Sequence, residues 1–254
     1  MKVIVCAIAK CEDLYIDEWV TYYIYGLGVD HVHVFDNSDE NTLHELPSRY
    51  PGRVSVYHMP GAVMQVPAYN TLKSKVDDTS DTWCAFVDLD EFIVLKRHET
   101  LHELLMNYSE HSGLVLNWVL FGDNGQTNYT EAPVTTRFTS RASTTNPHVK
   151  TIANLSKLLC MNVHNAVYTE GHSVDTDKKV VDGPLNYNTP SDVACIHHYF
   201  TKTKEEFLLK RGRGRADIHE IRDVGDFDCH NCNEVSDFSA VHVYDKARRR
   251  HERM

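Results

Sequence analysis

The chain opens on an apolar run, Val3-Ile4-Val5-Cys6-Ala7-Ile8-Ala9, which ends where Lys10, Glu12 and Asp13 intervene. A short apolar run bounded by polar positions predicts a buried strand. From Leu14 onward Ile16, Trp19, Val20, Tyr23, Ile24 and Leu27 recur at helical spacing, and Gly26 and Gly28 supply a stop. His31–Phe35 predicts a second strand that ends in the polar turn Asp36-Asn37-Ser38-Asp39-Glu40. Thr42–Leu46 starts a short helix, Pro51-Gly52 makes a turn, and Val54–Tyr57 reads as a third strand. After a loop containing Pro60, Gly61 and Pro67, a helix is predicted from Ala68 to about Val76. A fourth strand, Trp83–Val87, runs directly into Asp88-Leu89-Asp90-Glu91-Phe92. Thr100–Tyr108 puts Leu101, Leu104, Leu105 and Tyr108 on one helical face, and Leu114–Trp118 is a fifth strand. Strand and helix thus alternate, which is the pattern of βα units on a mainly parallel sheet with helices on both faces.

Past Phe121-Gly122-Asp123-Asn124-Gly125 the pattern turns irregular, with short apolar segments at 158–163 and 193–196 and a helix predicted over Lys204–Leu209. This half completes a site and is not a separate domain. The reading is one domain over residues 1–225, with a larger first half (about 1–112) continuous with a smaller second half (about 113–225). A helical or flexible tail, 226–254, follows. Its end, Arg248-Arg249-Arg250-His251-Glu252-Arg253, reads as a solvated or frayed terminus, or else as a contact for an anionic acceptor or membrane surface.

Composition changes the picture only at the margins. A formal charge of −10 over 254 residues argues against broad nucleic-acid binding, which needs a basic surface. The 42% apolar and 24% charged residues are ordinary for a globular protein with a sizeable core. Seven scattered cysteines fit a reducing compartment. The opening apolar run is too short for a membrane span and lacks a signal-peptide cleavage region. A cytoplasmic enzyme is therefore expected, although a Golgi-type catalytic domain separated from its anchor would read the same. Cys229-His230-Asn231-Cys232 has metal-knuckle spacing, but structural zinc needs four ligands and no second Cys-x-x-Cys is present.

The acidic run carries the candidate chemistry. Two carboxylates one residue apart at the end of a buried strand can share a magnesium or manganese ion while Leu89 points to the core. Without a cation or hydrogen-bond donors they would repel each other. A capped turn, with Asp88 or Asp90 accepting backbone N–H bonds, is the competing reading.

Four segments in order extend this signal: Ala9-Lys10-Cys11-Glu12 with Tyr15 and Glu18-Trp19-Val20; Gly28-Val29-Asp30-His31 with Phe35-Asp36-Asn37-Ser38; Phe86–Phe92; and His197-His198-Tyr199-Phe200-Thr201-Lys202-Thr203 with Glu205-Glu206-Phe207 and Lys210-Arg211-Gly212. Together with Trp118 and Phe121-Gly122 they resemble glycosyltransferase family 92 and its family-2-like relatives, over roughly residues 3–216. The family usually has Lys-Asn-Glu where this chain has Lys10-Cys11-Glu12, and often Asn-His-Tyr where it has His197-His198-Tyr199. The resemblance implies a GT-A fold: a Rossmann-like nucleotide-binding sheet joined to an acceptor-binding half. It also implies metal-dependent, inverting transfer from a nucleoside diphosphate sugar, for example a UDP-sugar, to a hydroxyl of a glycan or glycoprotein.

By that resemblance Asp88, Asp90 and His198 hold the Mn2+ or Mg2+ ion, with Asp88 serving either the ion or the ribose. Glu12 and Asp36 each follow a strand on one sheet edge, where a carboxylate can bond a base or ribose; N-capping is the alternative, and the resemblance favours the donor role for Asp36. Lys202, Lys210, Arg211 and Arg213 surround the helix at 204–209 and would meet the diphosphate, unless they form a solvated basic face; Lys150 is a weaker candidate of the same kind. An inverting transfer needs a proton acceptor on the acceptor side. Asp123, beside the aromatic Trp118 and Phe121, is the first candidate, although Asp-Asn-Gly is also a strong turn former; Glu170 is second and Asp182 third. Two rival functions stand beside this one. One is a non-catalytic glycan-binding module of the same fold. The other is a sugar nucleotidylyltransferase, which would want a Gly-rich basic loop where Lys10-Cys11-Glu12-Asp13 stands.

Overall fold

The computed structural model describes residues 1–253; Met254, the last residue of the expected tail, lies outside them. In chain order the elements are β1 (Lys2–Ala9), α1 (Ile16–Thr21), β2 (His31–Asp36), α2 (Leu46–Arg49), β3 (Val54–His58), α3 (Gln65–Thr71), β4 (Thr82–Phe86), β5 (Glu91–Leu95), α4 (Leu101–Met106), β6 (Gly113–Leu120), α5 (Val134–Arg137), β7 (Ser140–Arg141) and β8 (Asn146–Asn154). There follow β9 (Leu158–Met161), β10 (Ala166–Tyr168), β11 (Ser173–Val174), β12 (Val180–Val181), β13 (Ala194–His198), α6 (Lys204–Gly212), α7 (Gly225–His230), β14 (Val235–Ser236) and α8 (Ser239–His251).

The α/β class expected from the pattern is present around a ten-stranded sheet. Its first part is parallel, in the order β3-β2-β1-β4. The expectation of a mainly parallel sheet fails beyond β4, because β8 inserts between β4 and β6 and runs antiparallel to both. Parallel to the end of β6 lies β13, which pairs antiparallel with β5 on its other side. All eight residues of β6 are buried, as both faces of a central strand are covered.

Local chemistry explains the other departures. The helix expected from Ala68 begins at Gln65, because Pro67 falls within its first turn, where the missing N–H costs no helical bond. The helix expected at Thr42–Leu46 is a turn that enters α2 at Leu46, with Pro47 in the first turn. After α1 the helix continues through Tyr22–Gly26 in wider turns, with Leu27 N–H bonded to the Tyr22 carbonyl. This widening lets adjacent tyrosines face the core together. Tyr22 donates to the Ile93 carbonyl at 2.8 Å, Tyr23 to Glu91 at 3.0 Å, and Trp19 Nε1 to both Asp88 and Glu91 at 3.1 Å. Two ring donors from one helix, Trp19 and Tyr23, therefore pin the backbone of the acidic run, and Tyr22 pins β5 just beyond it.

The tail is helical at its end: α8 lies on the first helix, with Ala240 and Ala247 buried, His251 stacked on Tyr25 at 4.7 Å, and Val243 against Gly26. Among the described residues no helix is long and apolar enough to cross a membrane.

Candidate functional site

β1, β4, β6 and β13 all end at one edge of the sheet, and a cavity of about 170 Å3 opens there between Asp88, Asp90, Trp118, His164, His198 and the segment 210–222. That segment roofs the cavity as a strap: Ala216 accepts the Gln65 N–H at 2.9 Å, and Arg213 grips both the Cys11 carbonyl and Glu12. Gly214 takes a left-handed φ of +81°, which lets the strap double back.

The two aspartates are neutralised separately. Asp88 Oδ1 accepts from Gln65 and Tyr69 at 2.8 and 3.1 Å, and its Oδ2 accepts from Lys150 at 2.8 Å. Lys150 comes from β8 and is buried; burial pulls its pKa down, but Asp88 and then Glu91 outweigh this and hold the ammonium above its ordinary value. Glu91 Oε2 accepts the Asp88 N–H at 2.8 Å, so this third acid orients the run. Asp90 pairs with Lys210 of α6. Burial pushes the Asp90 carboxyl up, but Lys210 and then His198 hold it well below the usual range. Lys210 itself is lowered to about 8, by burial first, with Asp90 opposing.

His198 and His197 lie on opposite faces of β13, as strand alternation requires. His198 Nε2 stands 3.6 Å from Asp90 Oδ1. Burial keeps its pKa below the ordinary value, so the ring is neutral and can act as a ligand. His197 is packed on Phe121 at 4.4 Å, away from the cavity. The donor set fits a divalent ion in part. Asp90 Oδ1 and His198 Nε2 face each other too far apart for a direct hydrogen bond, a separation that suits two ligands of one ion. Asp88 does not fit as it stands, because both its oxygens are occupied. Among the described residues no three His, Cys, Asp or Glu side chains gather tightly enough to hold an ion.

Several expected residues lie elsewhere. Both oxygens of Asp36 close a turn, accepting from Ser38 and Leu43 N–H groups at 3.0 and 3.1 Å; the residue is fully buried and does not line the cavity. It caps no helix either, since α2 starts only at Leu46, after Glu45 and without a side-chain cap. Lys202 sits over the Tyr15 ring at 4.4 Å rather than in the cavity wall. Asp123 holds the turn, its Oδ1 accepting from Gly125 N–H at 2.8 Å. Glu170 is exposed and near Lys157, while its carbonyl accepts from Ser112, just before β6 begins. That is the far end of β6 from the cavity, roughly 20 Å away at the usual strand rise. Asp182 is exposed beside His172. Phe121 is buried against His197 and Tyr199 and offers no face to a sugar. Only Trp118 of the expected aromatic pair lines the cavity, 4.2 Å from His198 and 5.3 Å from His164, with its Nε1 buried and unpartnered among the described residues.

His164 and Arg222 line the cavity without having been singled out in the sequence. Neither sits in a motif, and each reaches the site only through the chain path.

With this geometry in place, comparison with known proteins decides the family. The profile of Glycosyltransferase family 92 matches residues 2–209. The chain belongs to glycosyltransferase family 92. Members of this family from Oryza sativa subsp. japonica and Ricinus communis are 26% identical over 152 residues and 24% identical over 219 residues, covering 57% and 81% of the chain. The chain spans only 25% and 36% of those relatives' own length. Among solved structures, S. aureus TarS residues 1–349 is similar with a TM-score of 0.38 and 21% identity, covering 61% of this chain and 48% of that one. HddC from Yersinia pseudotuberculosis has a TM-score of 0.34 and 10% identity, covering 61% and 74%.

Proposed function

We propose that the cavity binds a nucleoside diphosphate sugar together with Mn2+ or Mg2+, and that the protein transfers the sugar, with inversion, to a hydroxyl of a glycan or glycoprotein. The observation that carries this reading is the meeting of Asp90, from the turn between β4 and β5, and His198, from β13, with the cationic strap at the sheet edge of a family 92 chain. Asp90 Oδ1 and His198 Nε2 would hold the ion. Bound there, it would offset the charge of the departing diphosphate.

The chain's own groups do the rest. Lys210 and Arg213 set the strap over the donor, and Trp118 Nε1 is free to donate to a sugar hydroxyl. The acceptor oxygen attacks the anomeric carbon as the bond to the diphosphate oxygen breaks, and the diphosphate keeps the electron pair. A base must take the hydroxyl proton. We assign it to His164 Nε2. His164 Nδ1 lies 3.0 Å from the Val149 carbonyl and donates to it, which leaves the lone pair on Nε2 in the cavity wall. Burial first, then Lys150, push its pKa to about 4, so it is unprotonated at neutral pH and comparable in basicity with a carboxylate. His164→Gln is expected to lower kcat about a hundredfold with donor binding intact. Asp123→Asn and Glu170→Gln should stay within about twofold of wild type, since neither reaches the cavity. Steady-state kinetics on the three variants checks the assignment, and a large loss in Glu170→Gln alone would reverse it.

Thermal-shift screening of nucleotide sugars with and without manganese tests the reading as a whole. A donor that raises the melting point supports it. A shift with glycans and none with any donor would favour the binding module instead.

A further inference from the structure

Once internal pairs are matched, the cavity retains unbalanced positive charge. Asp90 is matched by Lys210, Glu12 by Arg213, Asp88 by Lys150 at 2.8 Å, with Glu91 a second acid 3.7 Å from the same ammonium outside the cavity lining, and Asp217 by Arg215 through two bonds of 2.9 and 2.7 Å. Lys10 and Arg222 also line the cavity, and neither has a carboxylate partner among the described residues. Arg222 is half-buried, and the one bond from its guanidinium goes to the Gly214 carbonyl at 3.1 Å. Its backbone carbonyl accepts from Arg211 at 2.8 Å, which fixes where the side chain starts. Burial lowers its pKa, Asp90 opposes this, and neighbouring Arg215 and Arg213 lower it further. A guanidinium kept partly out of water among other guanidiniums is unfavourable unless an anion joins it.

We infer that Arg222 is the anion-gripping residue of the cavity and that its ligand is the diphosphate of a nucleoside diphosphate. The identity of that natural ligand rests on the donor reading above; the anion site itself does not. Lys210 and Arg213, the cations the sequence points to, are already committed to Asp90 and Glu12. Arg222 has free N–H groups in a planar fork that matches two phosphoryl oxygens. Lys10, at the end of β1, supplies a second uncommitted charge in the same cavity, and a diphosphate has charge on two phosphoryl groups to meet both. Arg222 lies thirteen residues past the end of the family match at 209, so the strap adds to the matched region a contact that the match does not include.

The test measures binding to the whole chain by calorimetry, with inorganic pyrophosphate, UDP and UMP as probes, each with and without Mn2+. Wild-type protein is expected to bind pyrophosphate and UDP. Arg222→Met should weaken both by about 10- to 100-fold, the usual loss for a charge-assisted contact, and weaken UMP less than about threefold. Arg222→Lys keeps the charge without the fork and should fall between; it also serves if the Met variant folds poorly. Unchanged pyrophosphate and UDP affinity in both variants overturns the inference, as does a wild-type protein with no affinity for pyrophosphate. If pyrophosphate binds through Arg222 while UDP binds no better than pyrophosphate, the anion site stands and the nucleotide reading fails.

Discussion

Asp90→Asn protein is expected to turn over donor about a thousandfold more slowly than wild type, the scale of loss when a buried charge that acts on the transition state is removed. The same change leaves the Lys210 ammonium buried without its partner, so stability should also drop by about 3 kcal/mol. The two losses separate in a second protein. In Asp90→Asn/Lys210→Met the stranded ammonium is gone, and most of the stability should return while turnover stays low. Steady-state kinetics and urea unfolding on both variants check this. If the double variant regains turnover along with stability, Asp90 serves only to anchor Lys210 and takes no part in the reaction.

Glu206→Gln is expected to lose about 3–5 kcal/mol of stability at pH 7. Glu206 accepts two bonds of 2.8 Å from Arg137, one of 2.8 Å from Tyr15 and one of 2.7 Å from the Thr203 hydroxyl, and so ties α1, α5 and α6 together. Arg137 and Glu206 are almost fully buried, and the amide cannot balance the guanidinium. Burial pushes the Glu206 carboxyl up, but the Arg137 bonds and then Thr203 hold it down to about 2 against an ordinary 4.5. A carboxyl lowered in the folded state contributes stability above the unfolded pKa and loses it as pH falls through the folded one. The gap between wild type and variant should therefore be full above about pH 5 and shrink progressively toward pH 2. Urea midpoints at pH 7, 4 and 2.5 measure it, and a gap that persists undiminished at the lowest pH would exclude the ion pair as its source. Lys210 lies one turn beyond Glu206 on α6, so the variant should also bind donor less well.

What could be read in the sequence was whatever rested on local periodicity. β1, β2, β3, β4 and β6 show because their apolar runs are flanked by turn residues, and the acidic run shows because it follows one of them; β5 does not show, because it starts on Glu91 within that run. Nor does β8, since Asn146-Pro147-His148 opens it and Lys150 sits in its buried centre. A lysine reads as solvent-facing until its two acids are seen across the sheet. Asp36 shared the strand-end position of the acidic run, and only the structure shows both its oxygens bonded to backbone. His164 and Arg222 come from loops with no periodic signal, so their placement depends on contacts distant in sequence. The same holds for Glu170, which the sequence cannot assign to one end of β6 or the other.

The strap also bears on the timing of each turnover. The cavity under it, about 170 Å3, is smaller than the roughly 300–1,000 Å3 sites that admit ligands the size of a nucleotide sugar. On the donor reading proposed above, Arg213 would have to let go of Glu12 and the segment between Gly212 and Arg222 would have to lift before a nucleotide sugar could enter. Such a lid would then impose an order, with donor first, acceptor second and the spent nucleotide last. Opening, rather than bond-making, would then set the clock, and solvent viscosity should slow turnover.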